Sequence, residues 1–297
     1  MNRLPDFVII GAMKCATSTL HDQLGAQPGF FVSDPKEPYF FSDDPVWNKG
    51  LEWYQSLFAD AAPGDICGES TTHYTKLPTY PHTIERMAAH IGGAKLIYVM
   101  RHPIDRLVSQ YVHQWTENEI SSPIDEAIHT HPELIAYSRY SMQLEPFFTH
   151  WQSDEILPVF FERLRSSPQA ELERVASFVG YEGTPVWADL ESSNVSSQRM
   201  RKSPLRDMII EAPGLTAIRQ KLIPQSVRDR IKDQWKMSER PALSDESVAH
   251  LTSIFDEDLE RLSSWIGVTL TCETWSDTAA DLAPPSWVLQ QLPPKAA

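Results

Sequence analysis

Short runs of β-branched and aromatic residues alternate along this chain with longer segments whose apolar positions recur at helical spacing. Phe7-Val8-Ile9-Ile10 reads as a buried strand, and beyond a glycine-containing turn a helix carries Leu20 and Leu24. Ile84, Met87, Ala88 and Ile91 predict a helix that Gly92-Gly93 ends. Leu96-Ile97-Tyr98-Val99-Met100 predicts another strand. Pro103 suits the first turn of the helix after it, where Ile104, Leu107, Val108, Tyr111, Val112 and Trp115 form one apolar stripe. Ile156–Phe161 predicts a further strand, followed by a helix with Leu172, Val175, Ala176 and Val179 on one face. A long last helix carries Val248, Leu251, Ile254, Phe255, Leu262 and Ile266.

Strand and helix alternating in this way predict an α/β fold, a central parallel β-sheet flanked by helices on both faces. There is no internal repeat and no interior linker, so residues 1–273 read as a single domain. Residues 274–297, rich in Pro and Ala, read as an irregular tail or a docked extension. The length of 297 residues is ample for one such core.

Charge narrows the partners. Lys and Arg number 26 against 40 Asp and Glu, a net charge of −14, which argues against nucleic acid, heparin-like polymers or an anionic membrane as main partner. A locally basic pocket for a small anion stays open. No stretch is apolar enough to span a bilayer, and the start lacks a basic region followed by a long apolar one. The expectation is therefore a cytoplasmic protein without a transmembrane segment. Cys15, Cys67 and Cys272 are widely spaced and suggest neither zinc nor a disulfide framework.

Gly11-Ala12-Met13-Lys14-Cys15-Ala16-Thr17-Ser18-Thr19 joins the first strand to the first helix. Free backbone N–H groups and a helix N-terminus at a strand's carboxyl end suit a phosphate. The loop is nonetheless a poor ATP loop. With Gly11 as the first Walker glycine, Ala16 replaces the second and Thr17 replaces the lysine, while Lys14 sits inside the loop. The strand ending in Met100-Arg101-His102-Pro103 offers a cation where a P-loop NTPase needs an aspartate for Mg²⁺. Arg101 and Ser109 on the next helix can converge on one phosphate.

Together these segments resemble the PAPS (3′-phosphoadenosine 5′-phosphosulfate)-dependent sulfotransferase family. Lys14–Leu20 is similar to its 5′-phosphosulfate loop, and Lys95–Tyr111, with Arg101 and Ser109, to its 3′-phosphate segment. Lys36-Glu37-Pro38-Tyr39-Phe40-Phe41 resembles the KExxFF segment of the heparan-type, carbohydrate branch. Cys67–Tyr74, Ile156–Leu164 and Asn194–Pro204 extend the likeness across most of residues 5–270.

The resemblance implies a P-loop-like core and sulfuryl transfer from PAPS, with PAP (3′-phosphoadenosine 5′-phosphate) as product and no metal required. It implies Lys14 at the bridging oxygen. Cys15, Ala16, Thr17, Ser18 and Thr19 surround the phosphosulfate, and Arg101 and Ser109 hold the 3′-phosphate under a lid of Arg199 or Arg201. Glu37 is then the general base, with His73 as its rival, and Lys36 and Tyr39 line the acceptor side. The acceptor is a small-molecule, lipid or carbohydrate hydroxyl or amine. Ser70 stands where the heparan-type pattern often has a substrate-facing lysine, and the acidic charge fits a heparan binder poorly. Two other readings stay open: a P-loop small-molecule kinase, and a module that binds PAP or another nucleotide without turnover.

Overall fold

The computed structural model of the chain describes residues 3–190, 240–281, 284–288 and 292. Among the described residues five strands form one wholly parallel sheet: β1 (Phe7–Gly11), β2 (Phe30–Val32), β3 (Ile66–Ser70), β4 (Lys95–Met100) and β5 (Ile156–Phe160). Their order is β2-β3-β1-β4-β5. Every residue of β1 is buried, so both faces of the sheet are covered there, and its sequence is a continuous apolar run for that reason.

The connections include α1 (Thr17–Gly25), the short α2 (Asp44–Trp47) and α3 (Leu51–Ser56), α4 (Thr83–Ile91), α5 (Pro103–Thr116), α6 (Ile124–Thr130), α7 (Glu133–Ala136) and α8 (Tyr140–Leu144). After β5 come α9 (Phe161–Ser166), α10 (Pro168–Phe178) and α11 (Asp245–Ile266). The strands and helices expected from periodicity at β1, β4, β5, α4, α5, α10 and α11 are present. Strands β2 and β3 carry no such signal. The first is three residues long, and the second contains Gly68, Glu69 and Ser70, all of low strand propensity or polar. Gly68 is required by packing: a Cβ there would stand 2.0 Å from the Phe7 ring across the β1–β3 pair.

Two positions depart from the helical pattern. Val248, expected on the apolar stripe of the last helix, is exposed. Arg106 sits beside Ser109 on α5 and is fully buried, donating to Ser138 Oγ, Gln110 Oε1 and the Leu134 carbonyl. The segment beyond residue 273 begins as a helix, α12 (Trp275–Asp281). Its Trp275 is buried against Phe160 and Tyr140, at ring-centroid distances of 5.2 and 5.8 Å. Trp287 then donates from its indole to the Ile156 carbonyl at 2.6 Å. This stretch docks onto the β5 side of the core. No helix among the described residues is long and apolar enough to cross a membrane.

Candidate functional site

In an open parallel sheet the polar, ligand-accessible groups gather where the strands end, at their carboxyl edge. Four of the five strands deliver chemistry to that edge here. β1 leads to Lys14, β2 to Lys36 and Glu37, β3 to Thr72 and His73, and β4 to Arg101.

The loop after β1 is held tight. Gly11 lies against Thr75, whose hydroxyl donates to the Ile10 carbonyl at 2.8 Å, and a Cβ at position 11 would stand 2.0 Å from the Thr75 hydroxyl oxygen. Lys14 (φ 70°) and Ala16 (φ 64°) both adopt left-handed backbone, a conformation costing roughly 1–2 kcal/mol for a residue with a Cβ. Ala16 thus takes the shape a glycine would give and caps α1. The first-turn N–H groups of Thr17, Ser18 and Thr19 start that helix without intrahelical acceptors. Cys15 points the other way: its thiol is buried, and burial pushes it up to about 12. Its side chain therefore belongs to the core, and only its backbone can face a ligand. Burial and the neighbouring Arg101 push the Lys14 ammonium below its usual range.

At the end of β4 the Tyr140 hydroxyl clamps both backbone groups of Arg101, accepting from its N–H and donating to its carbonyl. The guanidinium lies 4.7 Å from the centroid of the Phe161 ring, 3.8 Å from Asp105 and 3.5 Å from the Lys14 carbonyl. It joins strand end to phosphate loop. Ser109 follows on α5, half-buried. Arg199 and Arg201 lie outside the described residues.

The segment after β2 is anchored by its aromatics. Phe40 stacks on Tyr54 at 4.7 Å, and Phe41 packs edge-on to Tyr54 and Tyr74. Tyr54 and Tyr74 both donate to Glu69, at 2.6 and 2.9 Å, and Thr71 donates to its other oxygen at 2.6 Å. Desolvation dominates these three bonds and raises the Glu69 carboxyl to about 7. The cluster holds residues 36–39 against the end of β3.

Lys36 Nζ donates to Ser18 Oγ of the loop at 2.9 Å and reaches Glu37 Oε1 at 3.4 Å. Glu37 also accepts from Tyr39 at 2.7 Å and from Thr72 at 3.2 Å. Tyr39 adopts left-handed backbone (φ 57°), which accompanies the return of its hydroxyl to Glu37 two residues back. Burial alone would raise the Glu37 carboxyl. The Lys36 ammonium and the bonds from Tyr39 and Lys36 outweigh it and hold the group below the usual glutamate value.

His73 stands beside them, its ring between Tyr39 (4.3 Å) and Tyr80 (4.6 Å). Its Nδ1 meets Asp43 Oδ1 at 3.1 Å. A carboxylate only accepts, so this bond places the proton on Nδ1 and leaves the lone pair on Nε2. Burial and the charge of Lys76 keep the ring below its usual value, hence neutral at pH 7.

The structure brings Lys14, Ser18, Lys36, Glu37, Tyr39, His73 and Arg101 to one edge. It adds groups that the linear pattern did not single out: Asp43, Thr72, Tyr80, Lys76 on the turn after β3, and His113 of α5, which feels the charges of both Lys14 and Lys76. Thr72 and His73 fall inside the Cys67–Tyr74 segment, so that segment was the available signal. Lys76 and His113 had none. Ser70 is buried, with its hydroxyl unpartnered. The aromatics Tyr137, Tyr140, Phe147, Phe148 and Trp151 in the middle of the chain are all buried, and Tyr137 also lies beside Lys76. Among the described residues no cluster of His, Cys, Asp and Glu is placed to hold a metal ion.

Residues 4–263 match the family model described as sulfotransferase domain. The chain is 33% identical over 188 residues to heparan sulfate glucosamine 3-O-sulfotransferase 3B1 of Mus musculus, covering 60% of this chain and 46% of that protein. It is 29% identical over 199 residues to bifunctional heparan sulfate N-deacetylase/N-sulfotransferase 2 of Homo sapiens, covering 60% and 22%. The chain therefore spans less than half the length of these relatives. Among solved structures, a sulfotransferase from Alicyclobacillus acidocaldarius superposes with a TM-score of 0.64 at 20% identity, covering 90% of this chain and 98% of that one. That likeness shows a shared fold.

Proposed function

This chain belongs to the sulfotransferase domain family, and from that membership we propose that it transfers a sulfuryl group from PAPS to a hydroxyl or amine of a carbohydrate, lipid or other small acceptor. The observation that carries the reading is the hydrogen-bonded chain from Ser18 in the phosphate loop through Lys36 to Glu37. It places a carboxylate next to the loop that would hold the donor, with no aspartate for Mg²⁺ at the end of β4.

Sulfuryl transfer has a loose, in-line transition state, so positioning and charge stabilisation carry most of the catalysis. Lys14 and the first-turn N–H groups of α1 bind the 5′-phosphosulfate and stabilise the charge that grows on the leaving 5′-phosphate. Lys14, held low by burial and by Arg101, regains its proton affinity beside that anion. Arg101 and Ser109 hold the 3′-phosphate. Glu37 takes the proton from the acceptor as its oxygen or nitrogen bonds to sulfur and the bond from sulfur to the phosphate oxygen breaks. Thr72 and Tyr39 orient the carboxylate. Lys36 answers both sides, free to lean towards the sulfuryl group when Glu37 becomes neutral.

A second base is favoured by one observation, the Asp43–His73 pair, which leaves a neutral imidazole with a free Nε2 near Glu37. A kinase reading lacks both a Walker lysine and a carboxylate at Arg101. The test is calorimetric titration of PAP in EDTA with wild type and Arg101→Ala. Micromolar binding in the wild type, weakened roughly 10- to 100-fold by losing a charge-assisted contact, supports the reading. Absence of PAP binding together with Mg²⁺-dependent ATP binding would replace it by the kinase.

A further inference from the structure

Two ammonium groups at the carboxyl edge, those of Lys14 and Lys76, are paired with no carboxylate among the described residues. Lys14 is accounted for by the donor phosphosulfate. Lys76 has no such role. It follows the turn that supplies Thr72 and His73, its N–H bonding back to the His73 carbonyl at 3.2 Å. Its Nζ stands 5.8 Å from the centroid of the Tyr137 ring, whose hydroxyl is fixed by Thr79 at 2.5 Å. The charges that face it are Glu37, Asp43 and Glu119, which favour its proton, and Arg106, which opposes it. His73 and His113 feel its charge in return.

The other cations here are engaged: Lys36 with Ser18 and Glu37, and Arg101 with Asp105 and the Lys14 carbonyl. A half-buried ammonium with an aromatic ring beside it but no carboxylate partner is costly and suits an anionic ligand. Lys76 shares its turn with His73 and with Thr72, which donates to Glu37, and its charge is felt at Glu37, whereas Lys36 ties Glu37 to Ser18 of the phosphate loop; the acceptor is assigned to the Lys76 side. Aromatic faces beside a lone cation suit a ring that carries both hydroxyls and an anion.

We propose that Lys76 is the specificity-determining cation of the acceptor site, and that the acceptor carries a carboxylate or similar anionic group beside the hydroxyl that is sulfated. This rests on the sulfotransferase reading. It also reconciles an acidic protein with an anionic acceptor, because the attraction is local. Burial lowers Lys76 to about 8, so the free site loses its charge just above neutral pH.

The experiment uses the full chain saturated with PAP and a matched pair of probes, 4-nitrophenyl β-D-glucuronide and 4-nitrophenyl β-D-glucoside, titrated calorimetrically. Wild type should bind the acid roughly 10- to 100-fold tighter, the range of one charge-assisted hydrogen bond. Lys76→Met should lose that preference with PAP affinity unchanged, and Lys76→Arg should keep it. In wild type the preference should fall about tenfold for each pH step above about 8. Equal binding of the two sugars, binding of neither, or a preference that survives in Lys76→Met overturns the assignment while PAP binding upholds the broader reading. If PAP itself does not bind, both fall.

Discussion

Replacing Glu37 by Gln removes a proton acceptor while keeping the side chain's size. In the structure this carboxylate accepts three bonds, from Tyr39, Thr72 and Lys36, at 2.7, 3.2 and 3.4 Å. A carboxylate offers about four lone-pair sites, so one remains for the acceptor's proton. Glutamine keeps one accepting oxygen and turns an NH₂ towards donors already in place. A positioned base contributes roughly 10²–10⁴-fold, or about 3–5 kcal/mol of barrier. The turnover number should fall by that factor. PAP affinity should hold or tighten slightly, because Lys36 loses its carboxylate and becomes free to meet a phosphate oxygen. The assay is transfer from radiolabelled PAPS under saturating acceptor, with PAP titration in parallel. The pH profile adds an independent reading. Glu37 is held below its ordinary value of 4.5, so kcat/KM in wild type should stay flat down to that region. A base at His73 would instead produce an acid limb higher up, below 6.5. A loss in Glu37→Gln of under tenfold, or an equal loss of PAP affinity, would refute the role of Glu37. If His73→Gln then abolished turnover, the Asp43–His73 pair would take its place.

Two further outcomes test the scaffold. Trp275→Ala should destabilise the protein by about 3–5 kcal/mol, the cost of emptying a buried aromatic site, because Trp275 seals β5 from α12; a denaturant midpoint unchanged from wild type would show that the extension is not docked. Glu69 has its carboxyl raised from 4.5 to about 7. Its contribution to stability is therefore complete below pH 4.5 and is lost as pH rises through 7, worth about 3 kcal/mol in all. Denaturation midpoints between pH 4.5 and 8 should decline more steeply in wild type than in Glu69→Gln, and parallel curves would contradict this.

The strands β1, β4 and β5 and the helices α4, α5, α10 and α11 were readable from sequence because each is encoded by local periodicity. The phosphate loop and Arg101 were readable for a related reason: each adjoins a strand end, so knowing the strand places the residue. The family motif around Glu37 identified a candidate base without saying what holds it. Tertiary structure decided the rest. β2 and β3 exist because of the parallel ladders on either side of β3, and Gly68 and Glu69 tolerate a strand only against Phe7, Tyr54 and Tyr74. Thr72 reaches Glu37 across 35 residues, and Lys36 reaches Ser18 across 18. Arg106 reads as a surface residue until Ser138 and Leu134 close over it, and Lys76 reads as a loop lysine until Tyr137 stands beneath it. Periodicity reports only which face of an element meets the core. Which charges face one another across the cleft depends on how separate elements pack, and that is set by contacts between residues far apart in the chain.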